Sequence, residues 1–215
     1  AMGSSLSARA EQSDFAAQGG RLSAGREALD LTVDGRQRAE ELRAFLELQE
    51  GSTLRAWLCH FDLNSDLRIS PREFSKGLEV MRYTGRHERI RPDDLFAQLD
   101  VNRSGELTMD EIDKEQNRLW KDFRTWCAAS FTSVDHFFHR LGGHEAAARE
   151  MLSKDQFTEG VVELGWAGGH EELLFAAFDQ NIEGTLRPRN LKWLEVETRR
   201  QSRKHAAKRR GLLEI

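Results

Sequence analysis

The chain has 215 residues, of which 39% are hydrophobic and 32% charged, with a formal net charge of −4. This composition favours a soluble, helix-rich protein with one sizeable core or two small ones, and no apolar run approaches the roughly 20 residues that a transmembrane helix needs. The last 25 residues, 191–215, carry eight Lys or Arg against three Glu, so an acidic body with a basic tail is predicted.

The first 30 residues are rich in Ser, Ala, Gly, Gln and Arg and are predicted to be a flexible lead-in. The opening residues, Ala1 to Ser4, resemble the remnant of a cleaved expression tag, and the basic-then-apolar pattern of a secretory signal is lacking. Cys59 and Cys127 fall within helical apolar patterns without paired metal-ligand spacing. We therefore expect reduced core thiols and an intracellular, cytoplasmic protein.

A separate helix is predicted within residues 31–51. Asp34 is its candidate cap, Leu42, Phe45 and Leu46 recur at helical spacing, and a glycine ends it. Two interpretations remain open at this point. The helix either packs on the body or forms the end of a longer segment of a larger protein.

Two twelve-residue acidic segments, 62–73 and 100–111, lie between apolar helical patterns and begin 38 residues apart. Ser52 is the predicted cap of the helix that enters the first, and Pro92 lies in the first turn of the helix that enters the second. Both segments carry short oxygen-bearing side chains at alternate early positions and a Glu at the twelfth, as a cation that takes about six to eight oxygens requires. Ordinary solvated Asn and Asp turns are the alternative, but a framed repeat argues against them.

The second half repeats this pattern in weaker form. The helix that leaves the second segment is predicted to run on through Leu119 to Phe131 as a connector. A third segment at 142–156 has Ala, Arg and Gly where oxygens are expected, whereas a fourth at 179–190 keeps most of the pattern. The predicted units are a first pair with its connector at 52–131, a second pair at 132–197 and a basic helical tail at 198–215.

These residues resemble the EF-hand superfamily, in a four-unit arrangement similar to calmodulin-like proteins and to the four-EF-hand modules of some protist proteins. The resemblance covers about residues 52–196. It implies an all-α fold of two lobes, each an EF-hand pair, with two of the four units degenerate and a long basic C-terminal helix. It also implies an antiparallel strand contact within each pair, between Ile69 and Leu107 and between Leu152 and Leu186.

The same resemblance implies the ligands of two calcium ions, with magnesium as a second candidate at rest. In the first loop they are Asp62, Asn64, Asp66, Ser70, Glu73 and the backbone carbonyl of Arg68. In the second they are Asp100, Asn102, Ser104, Thr108, Glu111 and the backbone carbonyl of Glu106. Leu67 replaces the family's glycine at the sharp turn, which costs on the order of 1 kcal/mol. Ser104 replaces the usual Asp or Asn, so weaker binding is expected there.

The third and fourth loops depart further from the family. The third has lost its ligands and is expected only to pair structurally with its neighbour. In the fourth, Asn190 lacks the bidentate carboxylate, and Arg187 and Arg189 add positive charge. We expect little or no binding in this half.

Other chemistry finds little support in the sequence. His136, His139 and His144 lack a further ligand that would complete a tetrahedral zinc site. No Gly-rich phosphate loop or nucleophile elbow occurs, so we do not expect an enzyme. The basic tail is interpreted as a solvated helix or as a contact for an acidic surface, including the chain's own body. Nucleic acid and anionic membrane are the less favoured partners, because no aromatic residues are interleaved.

Two functional hypotheses follow. In the first, calcium opens the N-terminal pair and uncovers an apolar groove for a protein partner or target helix. The expected groove residues are Leu54, Trp57, Phe61, Phe74, Leu78, Met81 and Phe96. In the second, the chain is a structural module of a larger assembly, and calcium stiffens it without a switch.

Overall fold

The computed structural model describes residues 35–84 and 90–213, so the predicted lead-in at residues 1–30 and the predicted cap Asp34 lie outside the described residues. The described residues are mainly helical, with one sheet of two short strands. The all-α prediction is therefore confirmed. Within these ranges, no helix combines the length and the apolar character needed to cross a membrane.

The first half of the described chain consists of helices that match the apolar periodicity. They are α1 (35–50), α2 (Thr53–Ala56), α3 (Pro71–Val80), α4 (Pro92–Leu99), α5 (Met109–Ile112) and α6 (Lys114–Ser130), and α2 continues into a π-helical turn at Trp57–Phe61. The Ser52 hydroxyl accepts a hydrogen bond from the backbone N–H of Arg55, as its predicted role as a cap requires. Prolines occupy the first turns of α3 and α4.

The helix that leaves the second loop is interrupted, contrary to the prediction of a continuous helix. Asp113 has φ −145° and ψ 100° and separates α5 from α6. Its carboxylate accepts a hydrogen bond from the backbone N–H of Gln116, which caps α6. An Asp side chain competes locally with helix continuation in this way, and apolar periodicity does not report that competition.

The second half contains longer helices and the only sheet of the described residues. Its elements are α7 (Val134–Arg149), β1 (Leu152–Ser153), α8 (Lys154–Glu163), α9 (Glu171–Phe178), β2 (Thr185–Leu186), a 3-10 turn (Pro188–Leu191) and α10 (Lys192–Leu213). Much of the predicted third loop is helical, because α7 continues to Arg149 with a kink at Gly143, where φ is 71°. The boundary predicted between residues 197 and 198 falls inside α10, which has no break there.

Both expected strand contacts are present. Ile69 and Leu107 form an antiparallel bridge, with backbone N–H to carbonyl distances of 2.8 and 2.9 Å. Leu152 pairs with Leu186 in the antiparallel contact of β1 with β2. All four side chains are fully buried. Each contact therefore ties two loops together at an apolar position.

The buried apolar side chains form one core that spans both halves, where the resemblance implied two lobes. Phe123 on α6 is central to this core, because its ring lies 5.1 to 6.1 Å from five other aromatic rings. These rings belong to Trp126, Phe157, Trp166, Phe178 and Trp193. The connector helix is thus part of the interior, and the two halves share its aromatic residues.

Helix α1 packs on the body, in agreement with the first of its two interpretations. Leu42 and Leu46 are almost fully buried, and the ring of Phe45 lies 4.8 Å from that of Tyr83 in an edge-to-face contact. Leu48 on the same helix is 80% exposed. The helix therefore buries one face, as its spacing of apolar residues predicts.

Candidate calcium-binding loops

Three segments of the chain share one backbone path: 62–73, 100–111 and 179–190, called here the first, second and fourth loops. Each has a positive φ at its fourth and sixth positions. The fourth positions are Ser65, Arg103 and Ile182, and the sixth positions are Leu67, Gly105 and Gly184. Leu67 has φ 74°, so it adopts the left-handed conformation expected to be costly for a side chain larger than glycine.

The first residue of each loop organises this path. In the first loop, the Asp62 carboxylate accepts hydrogen bonds of 3.0 Å from the backbone N–H groups of Asp66 and Leu67. The indole N–H of Trp57 donates to the same carboxylate at 3.3 Å. Burial raises the pKa of Asp62 to about 6, because desolvation disfavours the charged form more than these donors support it. A cation beside this carboxylate would favour its charged form.

The other candidate ligands of the first loop form hydrogen bonds within the loop. The side-chain oxygen of Asn64 accepts from the backbone N–H of Asp66, and Asp66 Oδ1 accepts from that of Arg68. Glu73 Oε2 accepts from the backbone N–H and the hydroxyl of Ser70, at 2.9 and 2.7 Å. The amide of Asn64 donates to Glu73 Oε1 at 3.1 Å, so residues from the two ends of the loop meet.

The second loop repeats this arrangement. Asp100 accepts hydrogen bonds of 2.9 Å from the backbone N–H groups of Ser104 and Gly105, and Asn102 Oδ1 accepts from that of Ser104 at 2.8 Å. The Ser104 hydroxyl donates to the backbone carbonyl of Glu106, another predicted ligand. At the twelfth position, Glu111 Oε2 accepts from the backbone N–H and the hydroxyl of Thr108.

One buried oxygen of the second loop indicates whether its residues suit a cation. Glu111 Oε1 is buried and has no hydrogen-bond partner. Buried polar atoms are normally satisfied, and leaving one without a partner costs about 1–3 kcal/mol. A calcium ion takes two oxygens from the twelfth residue of such a loop, one of which Glu111 Oε1 would supply. The second loop therefore fits a calcium ion, and the first presents the same classes of oxygen.

The donor set also limits which metals fit. Among residues 35–84 and 90–213, no three His, Cys, Asp or Glu side chains come together as a metal site built from those side chains alone would require. The two loops combine two or three carboxylates with amide, hydroxyl and backbone oxygens, a set that suits calcium or magnesium better than zinc. The ring of His136 instead accepts a hydrogen bond from the backbone N–H of Thr132.

The fourth loop keeps the path but uses its side chains differently. Asp179 accepts from the backbone N–H groups of Glu183 and Gly184, at 2.8 and 2.7 Å. The Glu183 carboxylate is in ion pairs with Arg187, at 3.2 Å, and with Arg189. Hydrogen bonds from the Asn181 amide and from Arg187 lower the pKa of Glu183. This carboxylate is therefore already neutralised by the chain's own cations.

Arg55 connects the helix that enters the first loop with the start of the fourth. Its buried guanidinium donates to the backbone carbonyls of Ala176, Asp179 and Gln180 and forms an ion pair of 3.0 Å with Glu50. These carbonyls lie at the C-terminal end of α9 and just beyond it, where helix carbonyls lack partners. This role of Arg55 was not predicted from the sequence. The available signal was the spacing of three between Arg55 and Leu58, which places a charged residue on an apolar face.

The basic helix α10 also reaches the first loop. Buried Glu197 accepts hydrogen bonds from Arg124 of α6 at 3.0 Å and from Arg200 at 3.5 Å. Arg200 further donates to the backbone carbonyl of Asp66 at 3.3 Å. The first described part of the tail thus contacts the chain's own body at a candidate loop.

Comparison with known proteins adds no relative: no protein-family model, no curated protein and no solved structure matches the chain. A function can therefore be inferred only from the loops themselves.

Proposed function

We propose that the protein binds two calcium ions, one in loop 62–73 and one in loop 100–111, and acts as a calcium-responsive binding module. The observation that carries this proposal is the buried Glu111 Oε1, an oxygen without a partner at the position that supplies two oxygens to calcium. The matched hydrogen bonds around Asp62 and Asp100 support the same role for both loops. Magnesium is the second candidate for these loops at rest.

The chain's own residues link each loop to the helix that follows it. Glu73 holds the N-terminus of α3 through Ser70, and Glu111 holds that of α5 through Thr108. Each Glu is thus part of a helix cap and a candidate ligand at once. Bound calcium would supply positive charge that favours the ionised carboxylates and draws the second oxygen of each Glu inward.

The residues of the expected groove lie inside the protein. They are buried, except Met81, which is partly buried. If calcium drew Glu73 inward, α3 would move with it. This movement would expose the surface to a protein partner or a target helix, as the sensor hypothesis requires. Dye-accessible apolar surface should then increase on addition of calcium.

A specific observation favours the structural alternative as the second candidate. Arg55 and the core around Phe123 hold the two halves together, which restrains any opening. In that case calcium would stiffen the first half without uncovering a groove. The two candidates agree on metal binding and differ only in the response to it.

Titration calorimetry tests the metal sites directly. We expect two calcium ions for the unaltered protein and one for Glu73→Gln or Glu111→Gln, because each substitution removes a carboxylate that would provide two oxygens. Glu79→Gln is the matched control, since Glu79 is an exposed residue of α3 outside the loop. Absence of binding heat, or a stoichiometry of two in both loop variants, would overturn the assignment.

A reporter dye for apolar surface distinguishes the two candidates. We expect dye fluorescence to rise with calcium in the unaltered protein and to stay constant in the double variant Glu73→Gln, Glu111→Gln. If calcium binds and protects the amides of the first half from exchange but leaves the dye signal unchanged, the sensor proposal fails. The structural candidate then stands.

A further inference from the structure

The fourth loop has the path of a calcium loop but side chains that do not fit the ion. Its fifth residue, Glu183, is in contact with two guanidinium groups, and its twelfth residue is Asn190. Ile182 and Gly184 nevertheless have φ values of 56° and 70°, close to the 55° and 79° at the same positions of the second loop. Something other than calcium therefore has to stabilise this conformation.

We propose that Arg187 and Arg189 replace the cation of the fourth loop, and Asn190 replaces its closing carboxylate, so that this loop is set without metal. The proposal goes beyond the proposed function, because it concerns the half of the chain to which no ion is assigned.

The position of Arg187 supports this replacement. Arg187 is the ninth residue of the loop, where the first and second loops have the hydroxyl residues Ser70 and Thr108. Its guanidinium turns back to Glu183 Oε2 at 3.2 Å, and Arg189 contacts Glu183 Oε1, so both carboxylate oxygens are engaged. The three side chains are between 34% and 52% exposed, so solvent screens each pair, but two pairs on one carboxylate form a network that contributes more than an isolated exposed pair. The guanidinium groups of Arg187 and Arg189, beside Glu183, also repel an incoming divalent cation.

Asn190 completes the loop without a negative charge. Its Oδ1 accepts from the backbone N–H of Arg187 at 2.8 Å, which is the contact that Glu73 and Glu111 make with the ninth residues of their loops. Its amide also donates to the buried backbone carbonyl of Phe178 at 3.0 Å. A carboxylate has no hydrogen to donate there, so Asn at this position favours the metal-free arrangement.

The consequence is that the two halves differ in their dependence on metal. The fourth loop is also the place where Arg55 and the Gln180 amide, which donates to the backbone carbonyl of Leu58 at 3.1 Å, hold the helix that enters the first loop. A metal-independent fourth loop would give that helix a constant anchor whatever the calcium concentration.

Restoring the ligands while removing the arginines tests the replacement. We expect the triple variant R187T/R189Q/N190E to bind one calcium ion more than the parent by calorimetry, whereas N190E alone binds no additional ion. If N190E takes the extra ion as tightly as the triple variant, or if the triple variant keeps its helical circular dichroism but takes none, the proposal fails. A parent that binds no ion, beside a triple variant that binds one, would refute the proposed function and leave this inference standing.

Hydrogen exchange tests the same idea in the unaltered chain, without relying on a redesigned loop. We expect the amides of Glu183, Gly184 and Arg187 to exchange equally fast in calcium and in a chelator. In Arg187→Gln with Arg189→Gln they should exchange about tenfold faster, because the loop opens more often. Arg118→Gln is the control, since Arg118 is highly exposed. Calcium-dependent protection of the three amides, or unchanged exchange in the double variant, would overturn the proposal.

Discussion

The second and fourth loops follow the same backbone path, but their carboxylates differ in whether they have partners within the chain. In the second, Glu111 keeps a buried oxygen without a partner, whereas in the fourth, both oxygens of Glu183 are paired with arginines of the same loop. The shared path arises from the first Asp, which accepts two backbone N–H groups in each case. Loop geometry and metal binding are therefore separable properties, and the residues at the fifth, ninth and twelfth positions decide between them.

The largest expected effect comes from a residue whose ring contacts aromatic side chains of both halves. Phe123→Ala should lower the free energy of unfolding by about 3–5 kcal/mol, because it leaves a cavity among five aromatic rings. Urea unfolding followed by tryptophan fluorescence and by circular dichroism should give coincident transitions. Val162→Ala, at a position that is 53% exposed, should change stability little. Separate transitions for the two halves would contradict a shared core.

The next effect tests the connection between the first and fourth loops. Arg55→Met should cost about 3 kcal/mol, since three backbone carbonyls lose their donor and Glu50 keeps only its contact with His60. Exchange at the amides of the fourth loop should also increase. The matched control is Arg118→Met, whose side chain is 86% exposed. An Arg55 variant as stable as this control would show that the halves are joined by apolar packing alone.

A smaller effect concerns the sixth position, where the first and second loops differ. Leu67→Gly should tighten calcium binding at the first loop about fivefold, which corresponds to about 1 kcal/mol, because glycine adopts φ 74° without strain. Gly105→Ala should weaken the second loop by a similar factor. Calorimetry measures both. Equal affinities for the unaltered protein and the Leu67→Gly variant would mean that the strain is relieved elsewhere in the loop.

The smallest effect concerns the ion pair between the first two loops. Arg68 Nη1 lies 2.5 Å from Glu106 Oε2, and the two side chains are 61% and 41% exposed. Exposed pairs of this kind contribute little, so Arg68→Gln should leave the unfolding midpoint unchanged within error. The predicted ligand is the backbone carbonyl of Arg68, and calcium affinity should also persist. A marked loss of affinity would show that the guanidinium positions the loop.

Local features were predictable because their causes lie within a few residues. The cap at Ser52 and the positive φ of Leu67 agree with the structure. The strand contacts of Ile69 with Leu107 and of Leu152 with Leu186 also agree, but they join separate loops and were implied only by the family resemblance. The interruption at Asp113 was not predicted, since apolar periodicity does not register a side chain that caps a new helix. The helix in the third loop was not predicted, because the absence of ligand residues does not indicate which structure the segment adopts.

Residue types and spacing were sufficient to indicate helices and two oxygen-rich loops, because these features depend on short-range order. The tertiary structure alone decided that one aromatic core joins the halves and that Arg55 bonds to carbonyls more than 120 residues away. Such contacts depend on where distant segments meet, and a charged side chain carries no local sign of the partner that it will find. The backbone path of the fourth loop and the pairing of Glu183 with arginines both arise within one twelve-residue segment, whereas the anchoring of Arg55 on this loop is a tertiary contact.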